Sequence, residues 1–322
     1  MTDADVALGR IDPHNFAGGT MVLDDEAARA VLTSEVGAAL SLDATHAALG
    51  VAEMVDENMA NAARVHAIES GKTCDGRTLV AFGGAAPLHA ARIAEKLDMD
   101  RIVIPPGAGV GSAIGFLRAP VAYEVTRSYY QRVSQLEAHG VNVLLEQMRA
   151  EAYGVVEAGA RGQPLVETRT AYMRYVGQGH EVGVEIPVRV KEATLGDDAG
   201  ARLLEEFERE YHRLYERTIP DLDVEILTWV LLVSTVLAPA SSTEMPADAA
   251  PPEPIGERAL VDTRQGTTVT AQVYDRDSLE PGARLSGPAV LVEKDTATIV
   301  TPVFDAEIHP HGHIVMTRRA EG

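Results

Sequence analysis

One stretch constrains the fold more than any other. Leu79-Val80-Ala81-Phe82, an apolar run of strand type, meets Gly83-Gly84 and passes into a segment whose Ala90, Ile93, Ala94 and Leu97 recur at helical spacing. A second apolar run, Ile102-Val103-Ile104, follows. Strand, tight turn, helix and strand in that order make a parallel pair with a crossover helix, so an α/β domain is expected up to Pro120. The sharp turn wants glycine, because only glycine takes positive φ without steric cost. The same turn leaves free N–H groups at a helix start, where an anion can dock. A glycine pair alone is compatible with a nucleotide-binding turn or with a plain tight connection.

The remaining pattern divides the chain at Pro120, which a helix cannot easily pass. Before it, helical spacing predicts helices from Asp24 to Ala39 and from Thr45 to Ile68, the latter stopped by Ser70-Gly71, then strand 78–82, helix 88–97, strand 102–104 and a small-residue helix from Gly111 to Leu117. Beyond it, 121–322 reads as an α+β domain rich in antiparallel strands. Val121 to Tyr130 is extended, Val133 to Ala160 is one long helix, and Thr168 to Val190 is two strands joined at Val176-Gly177-Gln178-Gly179-His180. An amphipathic helix from Ala199 to Arg217, a long buried strand from Val224 to Val236 and an exposed Pro-rich linker over 238–257 follow. Thr268 to Tyr274 alternates as a half-buried strand, and "GPAVLVEKDTATIVTP" makes two strands about a turn at Glu293 to Asp295.

Charge and cysteine usage exclude several classes. Lys and Arg number 28 against 48 Asp and Glu, a formal charge of −20 spread along the chain, which opposes binding to nucleic acid or anionic lipid. A polyanion such as ATP would therefore be held by local backbone donors and a metal ion. No apolar run reaches the ~18 residues of a membrane span, the N-terminus has no signal-peptide pattern, and the single Cys74 fits a reducing cytoplasm. A Gly-x-Ser-x-Gly elbow, a Cys-x-x-Cys pair and a Gly-Lys-Ser/Thr phosphate loop are all missing.

Six segments in one order, "DADVALGRIDPHNFAGG" at 3–19, "TLVAFGGAAPLHAARIAEKL" at 78–97, "IVIPPGAGVGSAIGFL" at 102–117, "YMRYVGQGHEV" at 172–182, "LYERTIPDLDVEIL" at 214–227 and "GPAVLVEKDTATIVTP" at 287–302, resemble the hydantoinase A / 5-oxoprolinase / acetone carboxylase β family. The resemblance covers nearly the whole chain and corresponds to the second part of that family's longer subunit. It implies that residues 1–120 are the second half of an actin-like (ribonuclease H-like) ATPase domain. It also implies an ATP- and Mg-dependent activity, either carboxylation of a ketone or hydrolysis of a cyclic amide. Carried over, Gly83, Gly84 and Ala85 would approach the nucleotide, with His89 in the first turn of the following helix placed to meet a phosphate.

The departures from the family pattern matter. Ala86 stands where the family usually has glycine in Gly-Gly-Ala-Gly-Pro, and Ala108 and Gly111 replace a usual proline and phenylalanine. The Asp-x-Gly-Gly-Thr phosphate loops of the first half are not present. "FAGGT" at 16–20 resembles one, but Phe16 occupies the carboxylate position and the family has a structural turn there. The resemblance thus implies a separately encoded half-subunit, of the kind seen in aromatic ketone carboxylases. Its partners would be carboxylase subunits carrying the phosphate loops, or a second copy covering an apolar face of the first domain. Catalysis by the chain alone is not expected, and no residue is assigned a catalytic role. A purely structural or regulatory subunit stays open.

Other candidates have plainer readings. His309-Pro310-His311-Gly312-His313 has imidazoles for a metal but the composition of an exposed turn, and no metal ligand is assigned. Gly177 to His180 could hold a carbonyl, yet a strand connection needs such glycines. Asp56, Glu57 and Glu69 on the helix from Thr45 read as a solvated face, and Cys74 as inert.

Overall fold

A computed structural model describes residues 1–186, 194–237 and 249–320. The chain forms two compact units, one made of Met1–Arg118 with Ser241–Gly322 and the other of Ala119–Ala240. This differs from a single division near residue 120, because the C-terminal strands return to the first unit. The expected linker lies outside the described residues as far as 248, as does 187–190 of the expected strand pair.

In the first unit, α1 (Thr2–Ala7) and α2 (Asp25–Val31) precede a π-helical turn at Leu32–Gly37, α3 (Ala38–Leu40) and the long α4 (Ala44–Glu69). Asp43 caps α4 by accepting from the His46 N–H at 2.8 Å. Strand β1 (Thr78–Val80), helix α5 (Ala86–Leu97) and strand β2 (Arg101–Ile104) form the expected right-order unit, with β1 and β2 parallel and Leu79 opposite Ile102. The strand ends earlier than its apolar run and the helix begins earlier than residue 88. Pro87 sits in the first helical turn, where its missing N–H costs nothing. A 3₁₀ turn at Ala108–Val110 leads into α6 (Gly111–Arg118).

The second unit contains β3 (Ala122–Arg132), α7 (Ala138–Ala160), β4 (Leu165–Tyr175), β5 (Val182–Glu185), α8 (Ala199–Tyr215) and β6 (Val224–Thr235). Its sheet is antiparallel in the order β3-β6-β4-β5, and β6, paired on both sides, is mostly buried as its continuous apolar run requires. Helix α8 buries Ala199, Leu203, Phe207 and Tyr211, a stripe of every fourth residue, and Tyr175 meets the rings of Phe207 and Tyr211 edge-on at 5.0 and 4.9 Å. The predicted long helix starts at Ala138 because Val133–Gln135 forms a 3₁₀ turn. His180 lies exposed in the β4–β5 connection, where Gly177 has φ +87° and Gln178 donates to the Tyr211 hydroxyl at 3.0 Å.

The chain re-enters the first unit with β7 (Gly256–Asp262), β8 (Thr267–Asp275), β9 (Arg284–Ser286), β10 (Ala289–Val292), β11 (Ala297–Val300), β12 (Phe304–Ile308) and β13 (Ile314–Arg318). Strands β9, β12 and β13 extend the parallel pair into a five-stranded mixed sheet, β1-β2-β13-β12-β9, with Met316 opposite Ile102. A second sheet, β11-β10-β8-β7, includes a parallel β8–β10 pair. Ile102, Ile104, Leu291, Phe304, Ile314 and Met316 share one buried core with Ala90, Ala91 and Ala94 of α5. The mixed α/β character is as expected, but the first unit is completed by strands that the sequence reading assigned to the second domain. Among the described residues, no helix is long and apolar enough to cross a membrane.

Candidate functional site

The glycine turn after β1 is where distant parts of the first unit meet. Gly83 has φ +113°, a value that side chains rarely adopt, and its N–H donates to the Ala108 carbonyl at 2.7 Å. A Cβ built on Gly83 would meet nothing within 4 Å, and one on Gly84 would only approach the Asp295 carbonyl at 3.9 Å, so the backbone faces open space. Ala85 precedes α5 without a side-chain cap; Pro87 has no N–H and Leu88 N–H donates to the Ala85 carbonyl at 3.1 Å, so the free donors of the helix start lie at Ala85 and Ala86. Ala86 has no positive φ, so the methyl that departs from the family pattern carries no backbone strain.

Opposite the turn stands the β10–β11 hairpin. Its loop is closed by the Glu293 N–H donating to the Thr296 carbonyl at 2.9 Å, and Thr296 Oγ1 donates to the Gly84 carbonyl at 2.8 Å. A Cβ on Gly109 would stand 2.7 Å from Asp295 Cβ, and one on Gly18 would stand 2.8 Å from Lys294 Cγ. Four stretches that carry the family resemblance, around residues 16–18, 83–85, 107–111 and 293–296, therefore converge here. Phe16, Ala17, Gly84 and residues 293–296, together with Asp12, Leu88 and Arg258, line a cleft of about 160 Å³, while 107–111 packs behind the hairpin loop.

Charge in the cleft is mixed. Arg258 pairs with Asp12 at 3.0 Å, but its Nη1 is buried without a hydrogen-bond partner, and burial holds its pKa below the usual arginine value against the pull of Asp12. Glu293 pairs with Arg276 at 2.5 Å, yet burial pushes its carboxyl above the usual range despite that partner. Arg276 also donates to the carbonyls of Ile104 and Gly312, fixing the hairpin loop to the end of β2. Lys294 is exposed at the rim. Backbone donors and the exposed Lys294 suit one side of an anionic ligand, with the Arg258 guanidinium adding positive charge from within the wall. Among the described residues, no group of three His, Cys, Asp or Glu is arranged to hold a metal ion.

His89 is placed differently from the sequence expectation. It is 2% exposed and turns inward, with Nδ1 2.7 Å from Asp56 Oδ1 and Nε2 3.5 Å from Asp5 Oδ2. It cannot meet a phosphate in the cleft, because its ring is enclosed behind the turn. Arg10 bonds Asp5 at 3.1 Å, and its Nη2 lies 3.7 Å from Asp56 Oδ2. The Arg10 Nη1 is also 3.0 Å from His89 Nδ1, but one ring nitrogen cannot both donate to Asp56 and accept from Arg10. The shorter contact, to the Asp56 carboxylate, takes the Nδ1–H, so Nδ1 donates to Asp56. Burial is the largest influence and disfavours the charged ring, but Asp5 and Asp56 together outweigh it and raise the His89 pKa. Asp5, Arg10, Asp56 and His89 form a buried quartet that locks α1, α4 and α5 together behind the glycine turn.

Asp56 also departs from the expected solvated face, since it is fully buried. Its signal was the stripe Ala48, Ala52, Asp56, Ala60, one small residue every fourth position, into which the carboxylate falls. The turn at 16–20 satisfies itself, with Gly19 N–H donating to the Phe16 carbonyl at 3.0 Å and Ala17, Gly18 and Gly19 all at positive φ. This geometry leaves no carboxylate where a phosphate loop has one. His309, His311 and His313 occupy the β12–β13 turn, where burial, then His309 and His311, lower the His313 pKa.

Comparison with known proteins gives a consistent result. The hydantoinase/oxoprolinase model matches residues 1–125 and the hydantoinase/oxoprolinase C-terminal domain model matches residues 142–315. The chain is 27% identical over 327 residues to the caprolactamase α subunit of Pseudomonas jessenii, covering 98% of this chain and 46% of that one. It is 26% identical to the acetone carboxylase β subunit of Xanthobacter autotrophicus (94% and 43%) and 25% identical to the acetophenone carboxylase γ subunit of Aromatoleum aromaticum (98% and 44%). The crystal structure of the Pseudomonas jessenii caprolactamase superposes with a TM-score of 0.76 at 26% identity, over 99% of this chain and 46% of that one. Nucleotide-free acetone carboxylase superposes with the same score and coverage at 24% identity, a likeness of fold. The chain thus spans less than half the length of these relatives. With family models matched over both its N-terminal and its C-terminal parts, the chain belongs to the hydantoinase/oxoprolinase family.

Proposed function

We propose that this chain is a subunit of a multi-subunit ATP-dependent carboxylase acting on a ketone of the acetophenone type, and that it completes or supports a nucleotide site built mainly by a partner subunit. The observation that carries this reading is the convergence of three family segments, at 11–17, 84–88 and 292–297, on one cleft, beside an open Gly83-Gly84 backbone and an uncapped helix start. The relatives named as acetone and acetophenone carboxylase subunits support the reaction class. A cleft of about 160 Å³ is smaller than the roughly 300–1,000 Å³ of a small-molecule pocket, so the chain covers only part of a nucleotide. Gly83, Gly84 and Ala85 would lie against it, Arg258 and Lys294 would balance its charge, and His89 would act from behind by fixing the first turn of α5. Magnesium and the phosphate-transferring groups are assigned to the partner.

Two observations favour second readings. The caprolactamase relative is matched as well as the carboxylases, which suits a half-subunit of an ATP-dependent cyclic amide hydrolase. The Gly83 N–H and the Gly84 carbonyl are already bonded within the chain, which suits a structural or regulatory subunit. One experiment separates the three. The purified chain is combined with partner subunits from the same genome, and ATP hydrolysis is measured with acetophenone plus bicarbonate, with caprolactam and with 5-oxoproline. Stimulation by the ketone mixture that is lost in Gly84→Val supports the proposal. Stimulation by a lactam supports the hydrolase, and turnover indifferent to Gly84→Val supports the structural role. The chain alone is expected to show no turnover, because it lacks the charge-stabilising groups around the γ-phosphate.

A further inference from the structure

We infer that the first unit carries a second anion site, separate from the cleft, which takes the phosphate group of a small phosphate monoester. Its walls come from α5, the β7–β8 turn, the β11–β12 connection and the end of β13, which border a cavity of about 320 Å³. Among the described residues, four guanidiniums, those of Arg92, Arg264, Arg318 and Arg319, line it against a single carboxylate, Glu95. On a chain of formal charge −20, that concentration is a local reversal of sign. The cavity shares no lining residue with the cleft and stands apart from the carboxylase reading.

Structural duties account for three of the four arginines but not for Arg264. Arg92 donates to Glu53 at 2.7 Å and to Glu95 at 2.9 Å, Arg318 to the carbonyls of Ala94 and Met99 at the end of α5, and Arg319 to Asp305 and the Gly287 carbonyl. Arg264 makes no side-chain hydrogen bond among the described residues, and its ion pair with Glu95 spans 3.8 Å. Its position is nevertheless built. The buried Asp262 accepts from the Arg264 N–H at 2.9 Å, and the Asp262 carbonyl accepts from the Gly266 N–H at 2.8 Å, which closes the β7–β8 turn at the edge of the cavity. Glu95 is held back, since Thr301 Oγ1 and Arg92 Nη1 donate to its two oxygens at 3.0 and 2.9 Å. Arg318 Nε is buried without a hydrogen bond, although an Asp100 oxygen lies 3.2 Å away.

Acidic partners outside the cavity do not cancel this charge. Glu53, Asp98, Asp100 and Asp305 pair with the arginines but line no part of it. The Asp98 and Asp100 side chains are 86% and 77% exposed, where ion pairs contribute little, and Glu53 is shared with Lys96 at 2.9 Å. A guanidinium has five N–H donors in a planar fork, and the bonds of Arg319 use two of them. Such forks match the oxygens of carboxylates and phosphates. A phosphate monoester brings a charge near −2 and three acceptor oxygens to one point, which suits several guanidiniums better than one carboxylate does. Volume favours an ester over the bare ion, because the cavity falls within the roughly 300–1,000 Å³ of small-molecule sites and Pro302, Val303 and Ala320 offer an apolar side to a short organic body.

The test is calorimetric titration of the full chain at low ionic strength with glycerol 3-phosphate, inorganic phosphate and succinate, with amide hydrogen exchange to locate the ligand. Glycerol 3-phosphate should bind one to one with a Kd below about 1 mM, and should slow exchange at 263–266 and 318–320. Inorganic phosphate should bind at least threefold more weakly, and succinate at least tenfold. Arg264→Gln should bind glycerol 3-phosphate at least tenfold more weakly while its melting temperature stays near wild type, whereas Lys294→Gln at the cleft should bind it as wild type does. Absence of saturable binding, unchanged binding by Arg264→Gln, or slowed exchange at 83–86 instead would each overturn the site. Inorganic phosphate or succinate bound as tightly as the ester would overturn the monoester as its ligand.

Discussion

Thr296 Oγ1 donates to the carbonyl of Gly84 across 2.8 Å, joining the β10–β11 hairpin loop to the turn after β1 although 212 residues separate them. The C-terminal strands belong with the first unit because β13 pairs with β2 and their side chains share its core, and this bond adds a tie at the turn. The turn is held from the far end of the chain, and the hairpin loop forms one wall of the cleft.

Replacing Thr296 by Val keeps the shape and removes the donor. A single hydrogen bond contributes about 0.5–1.5 kcal/mol, and this one is near the surface, so the expected loss is at the low end. Exchange of the amides of residues 83–86 should speed up while those of the second unit stay unchanged. Equal exchange in the variant would mean that the hairpin does not hold the turn.

His89 makes stability depend on pH. Its pKa in the fold is raised above 6.5, so the sign is that of a group gaining partners for its charged form. The stabilisation is fully present below the unfolded value of 6.5 and is lost as pH rises through the higher folded value. Denaturation midpoints of wild type and His89→Gln, compared between about pH 6 and 9, should therefore converge toward the alkaline end. A gap that widens with pH would show that the ring is held neutral.

Asp56 tests the same quartet from its acid side. Removing one member of a buried ion pair leaves an uncompensated charge, which costs about 3–5 kcal/mol. Asp56→Ala should lose that much, and Asp56→Asn less, because its amide oxygen still accepts a hydrogen bond from His89. Since whole domains are stable by only about 5–15 kcal/mol, the alanine variant should be close to unfolding at 37 °C. A loss below about 1 kcal/mol for Asp56→Ala would mean that water reaches the quartet.

Local order was legible in the sequence where one period dominates. The parallel β1–β2 pair and helices α4, α5 and α8 follow from apolar spacing alone. The return of residues 256–318 to the first unit was not, because the alternation of Thr268 to Tyr274 specifies a strand but not its partner. Around the cleft, Gly83 and Gly84 were readable as the tight turn between β1 and α5. His89 was misplaced because its neighbourhood in sequence is the turn, whereas its neighbours in space are Asp5, Arg10 and Asp56 from two other helical segments. A carboxylate within a stripe of alanines was the available clue.

Two glycines of the same region should respond oppositely to a methyl group. At Gly109 a Cβ would stand 2.7 Å from Asp295 Cβ and 3.0 Å from its carbonyl oxygen, and the obstacle includes backbone that cannot swing aside. Overpacking of this kind costs about 1–3 kcal/mol, so Gly109→Ala should destabilise the chain and push the hairpin loop away from Gly84. At Gly115, within α6, a Cβ would meet nothing within 4 Å, and the helical backbone accepts alanine without strain. Alanine is favoured over glycine in a helix by about 1 kcal/mol, so Gly115→Ala should stabilise α6 by up to that amount. Melting temperatures of the two variants should therefore move in opposite directions, and amide exchange should quicken at 83–86 only in Gly109→Ala. If both variants matched wild type, the packing of the 107–111 loop against Asp295 would be looser than these distances require, and the wall of the cleft would not be fixed by contact.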